Sequence, residues 1–167
     1  MKVLVSAASK HGSTDDVARA IAEILRESGH SAVVAAPETL TSLNGFDAAV
    51  VGSAVYYGKW LDTATTFVDR HLEWFDGRPV WLFSVGPLGD PPKPEAEPVE
   101  IPALVAKTLA REHRLFTGRL DRSRLSLGEK IIVKGVRAAE GDFRHWDEIR
   151  AWARAIGEAL APVGVAG

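Results

Sequence analysis

Apolar residues along the chain form two kinds of pattern, which alternate from the N-terminus onwards. Five short runs have the length and the β-branched content of strands covered on both faces: residues 2–7, 31–36, 46–55, 80–85 and 114–120. Apolar residues at helical spacing predict helices from Thr14 to a capping Gly29 and at residues 61–75, 103–113 and 145–161. The remaining segments are a Pro/Gly-rich loop at 86–102 and an irregular stretch at 121–144.

This alternation predicts an α/β fold, a doubly wound parallel sheet of five strands with helices on both faces. The predicted helices supply the right-handed crossovers that parallel strands require. The length fits one domain, which we assign to residues 1–161, with residues 162–167 as a C-terminal tail.

Composition narrows the class of protein. Hydrophobic residues make up 46% of the 167 residues and charged residues 25%, as in ordinary soluble domains. The absence of cysteine excludes disulfides, thiolate metal sites and cysteine nucleophiles. The N-terminal apolar run is too short for a signal peptide, and no run reaches the ~20 residues of a membrane span, so we expect a cytoplasmic protein. A net charge of −2 gives no sign of nucleic-acid binding.

The loop after the first predicted strand has the composition of a phosphate-binding site. Backbone N–H groups at the start of a helix lack partners and lie at the positive end of the helix dipole. In "ASKHGST" (8–14), Gly12 allows close approach, while Ser9, Ser13 and Thr14 supply hydroxyl donors. The alternative is plain helix capping by Ser13 or Thr14, but capping needs only one hydroxyl.

The loop also indicates which kind of phosphate it suits. It lacks the G-x-x-x-x-G-K-[ST] pattern of nucleoside triphosphate loops and the G-x-G-x-x-G pattern of dinucleotide loops. A hydroxyl-rich cradle with little fixed positive charge suits one terminal monophosphate.

Two further loops follow strands at the same predicted sheet edge, where ligands of open α/β sheets bind. In "GSAVYYGKWL" (52–61), two tyrosines and Trp60 could form one wall of a flat aromatic pocket, or Tyr57 and Trp60 could simply pack at the start of the next helix. In "SVGPLGDPP" (84–92), glycine N–H groups could face the polar rim of a heterocycle or merely turn the chain. A phosphate cradle with two loops able to enclose a planar ring points to FMN.

We therefore predict three sets of cofactor-binding residues, one in each loop: Ser9, Lys10, His11, Gly12, Ser13 and Thr14; Ala54, Val55, Tyr56, Tyr57, Gly58 and Lys59; Ser84, Val85, Gly86, Pro87, Leu88 and Gly89. We predict no catalytic side chain and no metal site, because the flavin carries the redox chemistry. His11 and His113 are expected to be surface histidines or neighbours of the phosphate.

The motif "SKHGST" resembles the phosphate loop of the flavodoxin family, which reads hydroxyl–x–hydroxyl–G–x–T. Ser9, Gly12 and Thr14 match, and Ser13 fills a position where the family also binds phosphate. Lys10 and His11 stand where many flavodoxins have hydroxyl residues, so they would serve through their backbone N–H groups. The resemblance implies FMN as the cofactor and a flavodoxin-like sheet with strand order 2-1-3-4-5.

Within that family the chain resembles the bacterial menaquinone-dependent protoporphyrinogen oxidases over nearly its whole length. "GSAVYYGKW" is similar to their aromatic Y-G segment, "FSVGPLG" to their S-V-N/G loop and "HWDEIRAWARAI" to their final helix. The resemblance implies an FMN-dependent oxidoreductase that oxidises protoporphyrinogen with a quinone acceptor. Gly86 stands where those oxidases often have asparagine, and the stretch before the last helix is shorter than theirs.

A second function class is a flavodoxin-type carrier that shuttles electrons between redox partners. Such carriers are usually strongly acidic, whereas this chain has 20 basic against 22 acidic residues. The segment 118–137 has an excess of basic residues beside an apolar run, which could contact an acidic substrate or, peripherally, an anionic membrane. It could equally be a solvated loop. A third class, a binding module that has lost its flavin, is disfavoured by the intact first loop.

Overall fold

The computed structural model describes residues 1–86, 97–135 and 140–162. Its strands are β1 (Lys2–Ala8), β2 (Ser31–Ala35), β3 (Ala48–Tyr56), β4 (Lys59–Trp60), β5 (Val80–Val85), β6 (Glu112–Phe116), β7 (Arg119–Leu120) and β8 (Gly141–Asp142). Its α-helices are α1 (Ser13–Glu27), α2 (Asp62–Arg70), α3 (Leu72–Phe75), α4 (Ile101–Thr108), α5 (Leu127–Gly135) and α6 (Trp146–Leu160). Short 3-10 turns occupy Pro37–Thr39 and Arg122–Arg124.

The main sheet has the strand order β2-β1-β3-β5-β6, and all four pairings along it are parallel. The two-residue strand β4 pairs with the end of β3 and lies off this path, while β7 and β8 form a separate antiparallel pair. The five main strands therefore follow the predicted order 2-1-3-4-5, and the predicted doubly wound fold is confirmed. The order switches direction between β1 and β3.

Two apolar layers cover the sheet because successive side chains of a strand point to opposite faces. Val3 and Val5 of β1 belong to the layer that packs under α1 and α6, whereas Leu4 belongs to the layer under α2, α3 and α4. All three side chains are fully buried. Helices therefore cover both faces of the central strands, and the loops at the strand ends begin from this packed sheet.

Two predicted helices differ from those observed. The helix predicted at 61–75 is interrupted at His71, which leaves helical geometry and separates α2 from α3. The helix predicted at 103–113 ends at Thr108, and Leu109 adopts a left-handed conformation with φ 52°. Residues that were assigned to the end of that helix instead pair with β5, because parallel pairing of Trp81 with Glu112 continues the sheet.

The stretch predicted as irregular, 121–144, contains regular structure and folds against the start of α1. It carries α5 and β8, and the side chain of Arg144 donates to Asp16 over 2.9 Å. The predicted fifth strand is also divided, since the sheet strand β6 ends at Phe116 and residues 119–120 form β7. Within the described ranges, no helix is both long and apolar enough to cross a membrane.

Candidate functional site

The three loops singled out in the sequence begin side by side at one edge of the sheet. Ala8 at the end of β1 pairs with Ser53, and Ser53 pairs in turn with Ser84 of β5. Because these strands are parallel, the chain leaves all three in the same direction. The loops therefore meet beyond the switch point between β1 and β3, where ligands bind in open α/β sheets.

The first loop ends in an uncapped helix N-terminus. Gly12 is the N-cap of α1 and has φ 85°, a left-handed conformation that favours glycine. The first helical bond runs from the N–H of Asp16 to the carbonyl of Gly12 over 3.1 Å, so the N–H groups of residues 13–15 have no helical acceptor. Among the described residues no side chain caps the helix, so Ser13 and Thr14 are not the ordinary caps of the alternative interpretation.

Hydroxyl groups surround this helix end and are held as hydrogen-bond acceptors. Ser9 Oγ accepts the N–H of Gly12 over 3.1 Å, and Ser13 Oγ accepts the N–H of Arg119 over 3.2 Å. Each hydroxyl therefore keeps its own proton for donation to an anion. Thr14 is only 1% exposed, at the first turn of the helix. Together with the free N–H groups, these hydroxyls provide a cluster of hydrogen-bond donors of the kind that can bind an anion.

The two remaining residues of the first loop are engaged by a carboxylate from α5. Glu129 Oε1 forms a salt bridge with the Lys10 ammonium and lies 3.1 Å from His11 Nε2. Hydrogen bonds from Lys10 and from the backbone of Ser126 hold the pKa of Glu129 well below its usual range, so it is a carboxylate at neutral pH. The side chains of Lys10 and His11 therefore bind Glu129. Their backbone N–H groups are the part of these residues that could bind a phosphate, as the resemblance to the flavodoxin loop implied.

The second loop brings one tyrosine against the first loop and leaves the other in solvent. The Lys10 ammonium lies 5.2 Å from the centre of the Tyr56 ring, and the ring of His11 lies 6.3 Å from it. Burial, with a smaller contribution from Glu129, raises the pKa of Tyr56 to about 12, so its phenol stays neutral and can donate. Tyr57 is 78% exposed and has φ 52°.

The rest of the second loop divides between the core and the rim. Trp60 is 3% exposed and belongs to the core, as the packing alternative predicted, and it forms no wall of an open pocket. Ala54 is buried, Val55 is half-buried, Gly58 turns the chain with φ 71° and Lys59 is exposed.

The third loop rests directly on the second. A Cβ added to Gly86 would lie 2.6 Å from Cβ of Val55, so only glycine lets these two segments of the chain approach this closely. The N–H of Gly86 also donates to the carbonyl of Phe116 over 3.1 Å, and Val85 beside it is buried. Pro87, Leu88 and Gly89 lie outside the described residues.

Ser84 faces the interior rather than the loop cluster. The Trp60 indole donates to Ser84 Oγ over 2.7 Å, and Ser84 Oγ lies 2.8 Å from His113 Nε2. Glu97 contacts His113 Nδ1 at 2.8 Å, which favours the tautomer with the proton on Nδ1 and makes Ser84 the donor to Nε2. The hydroxyl of Ser84 is thus used to fix Trp60 and His113. His113 is not the surface or phosphate-neighbour residue that we expected, because its side chain is 4% exposed in this network.

The basic segment 118–137 brings residues to the first loop that the sequence analysis did not place there. Its N-terminal half, residues 119–129, crosses beside the first loop, and we call it the strap. Besides Glu129, it places Arg124 Nη1 3.1 Å from the carbonyl oxygen of His11. These contacts join positions more than 110 residues apart, so no local pattern could have indicated them.

Comparison with known proteins agrees with this fold. A model of the Flavodoxin domain matches residues 4–146. Among solved structures, a flavodoxin from the domain Archaea superposes with a TM-score of 0.66 at 17% identity, covering 95% of this chain and 98% of the other. Flavodoxin 1 from Bacillus cereus gives a TM-score of 0.65 at 16% identity, covering 97% and 100%.

A larger protein contains the same fold as one part. The rubredoxin:oxygen oxidoreductase of Desulfovibrio gigas superposes with a TM-score of 0.66 at 12% identity over 95% of this chain, which spans 36% of that protein. No curated protein sequence matches the chain. These findings give no support to the narrower protoporphyrinogen oxidase group. Since the domain model covers most of the sequence, the chain belongs to the flavodoxin family.

Proposed function

We propose that this protein is an FMN-dependent oxidoreductase that binds the phosphate of FMN on residues 9–14. The observation that carries the proposal is the uncapped N-terminus of α1, with its free N–H groups and the hydroxyls of Ser9 and Ser13 around it. This arrangement suits a terminal phosphate. Because the chain belongs to the flavodoxin family, we propose that this phosphate is part of a flavin. Bound FMN would supply the electron-transfer chemistry that protein side chains lack.

The other two loops are proposed to enclose the isoalloxazine ring. The Tyr56 phenol stays protonated and can donate a hydrogen bond, while the exposed ring of Tyr57 can cover one face of the flavin. Gly86 and Val55 pack against each other and hold the two loops at a fixed separation. The side chain of Ser84 is turned inward, so its hydroxyl would not contact the flavin. Ser84 would only help to fix the end of β5, from which the third loop starts.

The redox partner is proposed to be either a small molecule or a protein. A carrier steered by a strong acidic field is disfavoured, because the net charge is only −2. The solved flavodoxins with the same fold nevertheless keep the electron-carrier function as the second candidate.

Protoporphyrinogen with a quinone acceptor is the specific reaction that we propose to test. It rests on the sequence resemblance and on the basic segment. Part of that basic charge is already paired within the protein, since Arg119 lies 3.7 Å from Asp16. Among the described side chains of this segment, those of Arg124 and Lys130 are exposed, together with the apolar side chains of Leu127 and Ile131 on α5.

The first experiment is an absorbance spectrum of the purified protein, with added FMN if it is colourless, followed by a fluorescence titration. Replacing both Ser13 and Thr14 with alanine should weaken FMN binding by more than about tenfold, because hydrogen bonds to charged groups are worth roughly 1.5–3 kcal/mol each. Replacing the exposed Thr63 and Thr66 of α2 is the matched control. Unchanged affinity in the Ser13/Thr14 variant would remove the phosphate assignment.

The second experiment separates the candidate reactions. Under anaerobic conditions, protoporphyrinogen should bleach the flavin absorbance and a menaquinone analogue should restore it if the protein is such an oxidase. A flavin that ignores both reagents but is reduced by a protein donor would favour the electron-carrier function.

A further inference from the structure

The strap runs along the phosphate cradle and contacts it at three successive points. The backbone of Arg119 donates to Ser13 Oγ, the side chain of Arg124 donates to the carbonyl of His11, and Glu129 binds Lys10 and His11. The strap therefore forms one side of the cradle. Side chains that it directs towards the helix N-terminus lie within reach of a bound phosphate.

Arg124 is a strap residue whose side chain lies against the turn before α1. Its Nη1 lies 3.1 Å from the carbonyl oxygen of His11 and 3.1 Å from the position that a Cβ on Gly12 would occupy. Gly12 is the N-cap of α1, so this guanidinium lies over the residue where the free N–H groups begin. A guanidinium has five N–H donors, and the bond to His11 uses one of them.

The cations around the cradle differ in how firmly carboxylates hold them. Lys10 is bound by Glu129, and Arg144 donates to Asp16 over 2.9 Å. The carboxylate of Asp121 lies 3.5 Å from Nε of Arg124, longer than the 2.7–2.9 Å typical of charge-assisted bonds. The side chain of Arg124 is 53% exposed, so it can turn from this weak contact towards a ligand.

We propose that Arg124 is a phosphate-binding residue, which donates to the terminal phosphate of the flavin and makes the site selective for FMN over riboflavin. The inference rests on the proposed function and adds a residue that the loop motif does not contain. An arginine fork matches the geometry of a phosphate dianion and supplies the positive charge that the hydroxyl-rich loop lacks.

The test compares two flavins that differ only in the phosphate. Fluorescence titrations of FMN and of riboflavin are carried out with the wild-type protein, with Arg124→Gln and with Arg124→Lys. Arg124→Gln should weaken FMN binding about 10- to 100-fold, as expected for a lost charge-assisted hydrogen bond, and leave riboflavin binding unchanged. Arg124→Lys keeps the charge without the fork and should show a smaller loss.

Arg154→Gln is the matched control, because Arg154 is an exposed arginine on α6 and the change in net charge is the same. It should leave both affinities unchanged. Equal weakening of FMN and riboflavin in Arg124→Gln would show a structural role and overturn the inference, as would an unchanged FMN affinity. If the wild-type protein binds riboflavin and FMN equally, both the phosphate assignment of residues 9–14 and the proposed role of Arg124 are wrong. If it binds FMN selectively and Arg124→Gln does too, only the role of Arg124 fails.

Discussion

Glu129 Oε1 lies 3.1 Å from His11 Nε2, although 118 residues separate the two in the chain. The same oxygen binds the Lys10 ammonium, so one carboxylate joins the strap to two adjacent residues of the first loop. The backbone N–H of Ser126 donates to the other oxygen over 2.8 Å and orients the carboxylate. The candidate site therefore combines residues that are far apart in the sequence.

Glu129→Gln should destabilise the protein in a pH-dependent way. At pH 7 we expect the free energy of unfolding to fall by about 1 kcal/mol, the upper range for a partly exposed ion pair. The pKa of Glu129 is lowered from its ordinary value of 4.5 in the folded state, so below about pH 4.5 the unfolded chain takes up a proton that the folded chain does not. The contribution of the carboxylate is present above that pH and is lost as the pH falls.

Urea unfolding of the wild-type and variant proteins at pH 7 and pH 3.5 measures this effect. The difference between them should be smaller at pH 3.5. Glu23→Gln, at an exposed position on α1, is the control and should change little at either pH. A deficit of the same size at both pH values would mean that the charge of Glu129 contributes nothing.

The sequence predicted the sheet because its strands are continuous apolar runs, a pattern that survives without knowledge of tertiary contacts. The glycine and hydroxyls of the first loop are also adjacent in sequence, which is why a phosphate site could be predicted there, and that assignment stays a prediction. His113 was misassigned to a helix because the strand Glu112–Phe116 is short and largely polar, and only its pairing with β5 defines it. The position of the strap was not predicted for the same reason, since Arg124 and Glu129 reach the first loop only through contacts across the fold.

Trp60 shows a further limit of sequence reasoning. An aromatic residue beside a glycine turn is equally compatible with a ligand wall and with the core. The structure assigns Trp60 to the core, because its side chain is buried and its indole donates a hydrogen bond to Ser84. Neither feature can be inferred from the residues next to Trp60 in the sequence.

Gly12→Ala tests whether a phosphate approaches the N-cap of α1. A left-handed conformation costs an L-residue about 1–2 kcal/mol, so the free energy of unfolding should fall by that amount. The added Cβ would also lie 3.1 Å from Arg124 Nη1, the end of a side chain that can move. We expect FMN affinity to fall by about tenfold or more, because an inserted methyl group in a well-packed site costs typically 1–3 kcal/mol.

Gly45→Ala provides a close control for this change. Gly45 has the same φ of 85°, and a Cβ added there would lie more than 4 Å from every residue except its two neighbours in the sequence. Chemical denaturation should show similar destabilisation for both variants, whereas fluorescence titration should show weaker FMN binding only for Gly12→Ala. If both variants bind FMN like the wild-type protein, the phosphate does not approach Gly12.

His113→Gln tests the buried network that fixes the start of the third loop. At pH 7.5 the free energy of unfolding should fall by about 1–3 kcal/mol, because Ser84 and Glu97 lose a well-placed partner. Burial lowers the pKa of His113 below its ordinary 6.5, although Glu97 and Glu112 oppose the shift. As the pH falls below 6.5 the unfolded chain binds a proton that folded His113 resists, so wild-type stability should decline.

The deficit of His113→Gln should therefore narrow between pH 7.5 and pH 5.5, because the variant lacks this titrating group while sharing every other histidine with the wild-type protein. Urea unfolding followed by circular dichroism at the two pH values measures the change. Ser84→Ala breaks the same hydrogen-bond chain but keeps the imidazole, so it should be destabilised and still lose stability on acidification. If His113→Gln loses as much stability as the wild-type protein over this range, the pH response originates at another histidine and the buried network is insensitive to pH.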